Sequence, residues 1–166
     1  SLKTPPGILA IANMSDEGSF DYGALKGKVL YLDDVRDPGN MGTIIRNADW
    51  FGVRVIIASP ESVEFYNPKV IQASMGSFSR VKLLNANVAE LKLELPMYAT
   101  TLDGISIHNF SAPMDMILVI GSESHGVSME VLNLCEGQLT IPKTKGSKAE
   151  SLNAGVATAV VLSHMM

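Results

Sequence analysis

Asn40 and Arg46 stand in the stretch best suited to chemistry by residue type and spacing, Asp33 to Gly52. The chain leaves an apolar run, Val29 to Leu32, turns at Asp37-Pro38-Gly39 and becomes helical, with Asn40 as candidate N-cap. Met41, Ile44, Ile45, Ala48 and Phe51 recur at three- and four-residue spacing, and Gly52 stands where a helix would end. At about 100° per residue, Arg46 falls at the border of that apolar stripe, beside the turn that carries Asn40 and the amides of Gly39 and Gly42. A strand end, a glycine-bearing turn and a helix N-terminus form a usual ligand position in an α/β protein. The same residues also fit a tight strand-to-helix connection, with Arg46 a surface cation paired to Asp49 or Asp37. The residues alone leave both readings open.

A second loop, Gly121-Ser-Glu-Ser-His-Gly126, follows the most apolar run of the chain, Met116 to Gly121. Its Gly-x-x-x-x-Gly spacing is that of a phosphate-binding loop, but Val127 stands where the phosphate-binding lysine belongs and Glu123 would repel phosphate. Ser124 lacks the Gly-x-Ser-x-Gly surroundings of an esterase nucleophile, and His125 reads as an ordinary loop residue ahead of a catalytic base. A glycine-rich loop with a carboxylate and no basic side chain suits a ligand other than polyphosphate, such as an adenosine with a cationic tail. A third segment runs from Ile141-Pro142 through a loop bearing Lys143, Lys145 and Lys148 to Ser151-Leu152-Asn153. Serine and asparagine there suit helix caps, and the lysines suit either a solvated segment or a local basic patch.

Elements must position these residues. Val29–Leu32, Val53–Ala58, Val81–Leu84, Met97–Leu102, Met116–Gly121 and Leu139–Pro142 read as strands. Helices are expected over the opening stretch, Pro68–Ser74 and Met129–Leu134, and over Ser151–Leu162, whose Ala, Val and Leu crowd all sides and predict thorough burial. Val88, Leu91 and Leu95, interleaved with Glu90, Lys92 and Glu94, fit a short amphipathic helix stopped at Pro96. The alternation predicts an α/β fold: a mainly parallel sheet with helices on both faces. With 166 residues, 46% apolar and 18% charged, one domain with a full core is expected. A single cysteine, Cys135, excludes a disulfide framework and a cysteine-rich zinc site. No signal or membrane span is indicated, so a cytoplasmic setting is expected. The formal charge of −4 and pI of about 5.3 argue against a strongly basic nucleic-acid module, so any RNA site must be a local patch or the work of another domain.

Asp37-Pro-Gly-Asn-Met-Gly-Thr-Ile-Ile-Arg46, with Ala48 and Phe51-Gly52, resembles the first motif of the SpoU (TrmH-like) branch of the SPOUT RNA methyltransferases. Ile117-Leu-Val-Ile-Gly-Ser-Glu-Ser-His-Gly-Val-Ser128 resembles the second, and Ile141-Pro142 with Ser151-Leu152-Asn153 the third, in the same order. The loop before Ser151 is about two residues longer than usual, and Ala154-Gly155 replaces the customary Val-Ser. The resemblance implies an α/β knot: a single SpoU-type catalytic domain, residues 1–166, with a C-terminal trefoil knot that builds the pocket for S-adenosylmethionine. Residues 1–28 are its lead-in, and Thr4-Pro5-Pro6-Gly7 resembles the junction after a separate N-terminal RNA-binding domain that this chain would lack. By resemblance, Thr100, Leu102, Gly121, Ile141 and Leu152 hold the cofactor. Asn40, Arg46, Glu123, Ser151 and Asn153 form the catalytic cluster. The implied reaction is methylation of a ribose 2′-hydroxyl in RNA, rRNA ahead of tRNA, by a homodimer without a metal. The alternatives are a doubly wound nucleotide-binding module without transferase activity and a KH-type RNA-binding domain. Gly39-Asn-Met-Gly42 lacks the Gly-x-Gly-x-x-Gly order of the first and the basic flank of the second.

Overall fold

In a computed structural model that describes residues 11, 20–88, 91 and 94–166, six strands form one sheet in the order β3-β2-β1-β5-β4-β6, every neighbouring pair parallel. The strands are β1 (Lys28–Asp33), β2 (Val55–Ala58), β3 (Lys82–Asn85), β4 (Met97–Ser106), β5 (Met116–Gly121) and β6 (Gly137–Thr140). The helices are α1 (Pro38–Trp50), α2 (Pro68–Ser74), α3 (Met129–Leu132) and α4 (Ala154–Met165), with 3₁₀ turns at Tyr22–Ala24, Ser77–Ser79 and Ile107–Asn109. Half of the amphipathic segment expected over 88–95, residues 89, 90, 92 and 93, lies outside the described residues, as do residues 1–10 and 12–19 of the lead-in.

Continuous apolar runs form the central strands because both faces are covered. Alternate residues of β1 go opposite ways. Leu30 and Leu32 pack in the cluster that contains Met41, Ile44, Ile45 and Ala48 of α1, Val70 of α2 and Val161 and Leu162 of α4. Val29 and Tyr31 pack with Leu25, Val88, Val127 and Val131. Helices thus cover both faces unevenly, three on one and the short α3 on the other.

Several boundaries depart from the sequence reading. Asp37, not Asn40, is the N-cap of α1: its side chain accepts from Asn40 N at 2.7 Å, and Pro38 occupies the first turn, where its missing N–H costs nothing. Asn40 is thereby one turn inside the helix, with its side chain free for other work. α4 starts at Ala154, with Asn153 as its N-cap, so Ser151 and Leu152 are loop. α4 is not buried on all sides either, since Val156 is 51% exposed while Val161 and Leu162 are buried. β6 spans Gly137–Thr140, two residues before the expected start, and β4 runs to Ser106. Thr100 pairs with Leu139 and so does Ile105, so the intervening residues bulge out of the ladder before pairing resumes.

The sheet order places the site. Chain-successive strands β1, β2 and β3 run outward on one side, and β5, β4 and β6 on the other, so the direction reverses between β1 and β5. Asp33, at the C-terminal end of β1, is register partner of Gly121, at the end of β5. The connections leaving those ends diverge there and open a crevice, the usual ligand position in an open α/β sheet.

Candidate active site

A pocket of about 790 Å³ lies at this end of the sheet, within the range of about 300–1,000 Å³ usual for small-molecule sites. Its walls come from the β4 bulge (Thr100 to Asp103), the loop after β5 (Gly121 to Glu123 and Gly126), the segment after β6 (Ile141 to Leu152) and the inner face of α4 (Ala154, Ala157 and Val161). Thr100, Leu102, Gly121, Ile141 and Leu152, up to 52 positions apart in the chain (152 − 100 = 52), all line it. Glu123 and Ser151 line it as well.

Each wall has a local cause. Thr100 Oγ1 donates to Val119 O at 2.9 Å, pinning the bulge to β5 where its ladder with β6 breaks. The loop after β5 folds back in an antiparallel bridge, with Ser122 N donating to Gly126 O at 3.0 Å and Gly126 N to Ser122 O at 2.9 Å. A Cβ on Gly121 would overlap the Gly126 and Val127 backbone, so only glycine allows this closure. Asp33, a buried carboxylate that the sequence reading passed over, accepts from Ser128 N at 2.7 Å and clamps the far end of the loop to β1. An acidic residue closing a buried strand was the available signal.

At the pocket mouth three of the residues assigned by resemblance are hydrogen-bonded in series. Val156 N donates to Asn153 Oδ1 at 3.2 Å, Asn153 Nδ2 to Asn40 Oδ1 at 2.6 Å, and Asn40 Nδ2 to Glu123 Oε1. Because a backbone N–H starts the series and a carboxylate ends it, both amides have a fixed orientation. Alongside, Asn47 Nδ2 donates to Gly155 O at 2.8 Å, and a Cβ on Gly155 would lie 2.8 Å from Thr43 Cγ2. Glycine in place of the expected serine thus lets the start of α4 approach α1 closely.

The other two residues of the cluster stand differently. Ser151 is exposed on the rim and makes no hydrogen bond among the described residues. Arg46 is exposed on α1, and its side chain also makes no hydrogen bond or ion pair among the described residues. Neither carboxylate suggested for it is available. Asp49 accepts from Arg80 and Ser77, and the Arg80 contact holds its carboxyl below the usual range, while Asp37 caps α1. Ser124 Oγ lies 2.8 Å from His125 Nδ1, but both side chains are exposed and outside the pocket lining. Burial pushes the Cys135 thiol up to about 11, which leaves it a poor nucleophile. No group of three or more His, Cys, Asp or Glu able to hold a metal occurs among the described residues. No helix among the described residues is long and apolar enough to cross a membrane.

Residues 27–163 match the model of the SpoU rRNA Methylase family. The chain belongs to this family. It is 32% identical over 98% of its length to a 23S rRNA guanosine 2′-O-methyltransferase, RlmP of Bacillus subtilis, and spans 66% of that relative. Among solved structures, it superposes on a TrmH-family protein from Porphyromonas gingivalis with TM-score 0.78 and 39% identity, covering 90% of this chain and 62% of that one. An rRNA methyltransferase from Sinorhizobium meliloti, solved with S-adenosylmethionine bound, gives TM-score 0.79 at 29% identity, covering 86% and 57%. The chain spans between half and two thirds of the curated relatives named first.

Proposed function

We propose that the chain is the catalytic domain of an RNA 2′-O-ribose methyltransferase that uses S-adenosylmethionine, with rRNA as substrate ahead of tRNA. The observation that carries this reading is convergence: the five residues assigned to the cofactor by motif line one pocket, and Glu123, Asn40 and Asn153 are hydrogen-bonded at its mouth. The relative named for a 23S rRNA ribose methylation and the neighbour solved with S-adenosylmethionine support it.

The pocket fits that cofactor in size and chemistry. Leu102, Ile141, Leu152 and Val161 give apolar walls for a nucleoside, the closed loop at Gly121 brings backbone to the ligand, and Glu123 supplies negative charge for a cationic tail. When bound, S-adenosylmethionine supplies a methyl group on a positive sulfur. The attacking ribose oxygen becomes alkoxide-like, so charges are neutralised on the way to the transition state and alignment in a dry site counts for much. Glu123 is held by Asn40, which Asn153 holds in turn, so the carboxylate has a fixed bearing on the pocket mouth. Arg46, unpaired among the described residues, has its fork available for the RNA phosphate beside the target ribose and for the developing negative oxygen. A guanidinium keeps its proton at any working pH, so electrostatic stabilisation suits Arg46 better than proton removal. Ser151, on the rim and without a hydrogen-bond partner among the described residues, is assigned to the acceptor side.

The same reading includes a trefoil knot formed by the passage of the C-terminal segment, a cytoplasmic setting, a single domain over residues 1–166 and an RNA-binding domain outside this chain. It also includes a homodimer. Thr43 and Trp50 share a row of α1 next to the α4 seam, where Trp50 is 85% exposed and Val156 of α4 is 51% exposed, leaving apolar surface for a second copy to cover. Calorimetry of the chain with S-adenosylhomocysteine, NAD and FMN tests the cofactor: heat is expected with the first alone, and binding of NAD or FMN in its place would replace methyl transfer with a nucleotide-binding module.

A further inference from the structure

From Pro142 to Asn153 every residue is exposed. Apart from a turn in which Ser147 N donates to Thr144 O at 3.0 Å, no residue from Pro142 to Leu152 makes a hydrogen bond or ion pair among the described residues. Yet this thinly held segment is a wall of the pocket, supplying Pro142, Lys143, Thr144, Ser147 and Leu152 to its lining. Lys145 and Lys148 belong to the same segment but not to the lining, and neither has a carboxylate partner among the described residues. Three lysines stand against Glu150 alone, a local surplus of +2 in a chain of formal charge −4.

We propose that residues 142–152 form a two-sided strap: one side closes on the cofactor and the other presents Lys145 and Lys148 to RNA phosphates, so that each ligand tightens binding of the other. The proposal rests on the methyltransferase reading above. A segment with few contacts has little local stability, so its ordered form must be supplied by what binds it. A cofactor in the pocket touches the strap only when the strap is in place, and the entropy of ordering is then already spent when RNA arrives. Linkage makes the effect reciprocal.

Phosphate is the fitting partner for these side chains. A lysine is a compact, strongly hydrated charge on a flexible stem, suited to the backbone phosphate that every nucleotide presents. The place is also right, since the strap contains Ser151 and ends next to Asn153, which is hydrogen-bonded through Asn40 to Glu123. A phosphate held by Lys145 or Lys148 would lie near the ribose presented to the pocket mouth.

The test measures binding of a labelled single-stranded oligoribonucleotide, at several salt concentrations, with and without saturating S-adenosylhomocysteine, for the wild type and for Lys145→Gln/Lys148→Gln. The cofactor product should tighten RNA binding about fivefold or more, the lower end of ordinary coupling between two sites. The double variant should lose most of that gain and flatten the log–log salt slope by about 1.4, or about 0.7 for each lost contact to a single strand. Its affinity for S-adenosylhomocysteine in the absence of RNA should stay within about twofold, which also reports an intact pocket. Equal RNA affinity with and without the product, or a wild-type salt slope in the double variant, would overturn the strap while leaving the methyltransferase reading in place. No S-adenosylhomocysteine binding by the wild type would overturn both.

Discussion

The Arg46 side chain is exposed and unpaired among the described residues, and the two carboxylates suggested for it have other partners: Asp49 holds Arg80, and Asp37 caps α1. Such a cation is available to a ligand, whereas an ordinary surface pair contributes little. Arg46→Lys separates the two roles, since a solvated charge tolerates lysine and a bidentate contact does not. Methyl transfer to RNA should fall about 10²-fold or more in this variant, with S-adenosylhomocysteine affinity within a few-fold of wild type. Steady-state methyl transfer and calorimetry read the two quantities, and near-wild-type turnover would return Arg46 to the surface. Arg46 and Asn40 were legible as residues of interest from local spacing alone. The pairing of Asn40 with Glu123 and Asn153, 83 and 113 positions away, was not. Contacts of that range depend on sheet order, which local periodicity does not carry, so only the motif resemblance pointed to them.

At the scale of elements, what was legible followed the strength of the local signal. β5 and α2 match their sequence boundaries, the first because it is a pure apolar run and the second because Asn67 caps it, Pro68 opens it and Met75 and Gly76 end it in left-handed turns. β4 was cut short at Leu102 because Asp103-Gly104 has turn composition, although the strand resumes pairing at Ile105. α4 was expected to be buried all round, since one chain's hydrophobicity does not reveal whether its own core or a second copy covers a given face. Gly42 carries the closest seam between helices. A Cβ there would lie 2.8 Å from Val70 O and 2.9 Å from Ser74 N, both backbone atoms that cannot swing away. Gly42→Ala gains up to about 1 kcal/mol of helix propensity, but forcing α1 and α2 apart should outweigh it, for a net loss of about 1–3 kcal/mol. Urea unfolding at constant m should show a lowered midpoint, and an unchanged or raised one would mean the seam opens freely.

The chain as a whole is acidic, and its pocket, polar cluster and lysine-bearing segment lie at one end of a parallel sheet. The exposed Trp50 and Val156 beside the α1–α4 seam predict association, so light scattering at tens of micromolar should return about twice the 17.8 kDa of one chain. A mass of one chain would leave those residues to another partner. If this end of the molecule moves a methyl group to a ribose oxygen, the chemistry of RNA itself gives a direct reading. A 2′-O-methyl group blocks the neighbouring phosphodiester from alkaline cleavage, because the 2′-oxygen is the internal nucleophile. The measurement is transfer from methyl-labelled S-adenosylmethionine to rRNA, with alkaline digestion and sizing of the labelled product, for the wild type and Arg46→Ala. Label is expected in alkali-resistant dinucleotides from the wild type, reduced about 10²-fold or more in the variant. Label in mononucleotides carrying a methylated base, or equal transfer by Arg46→Ala, would contradict it.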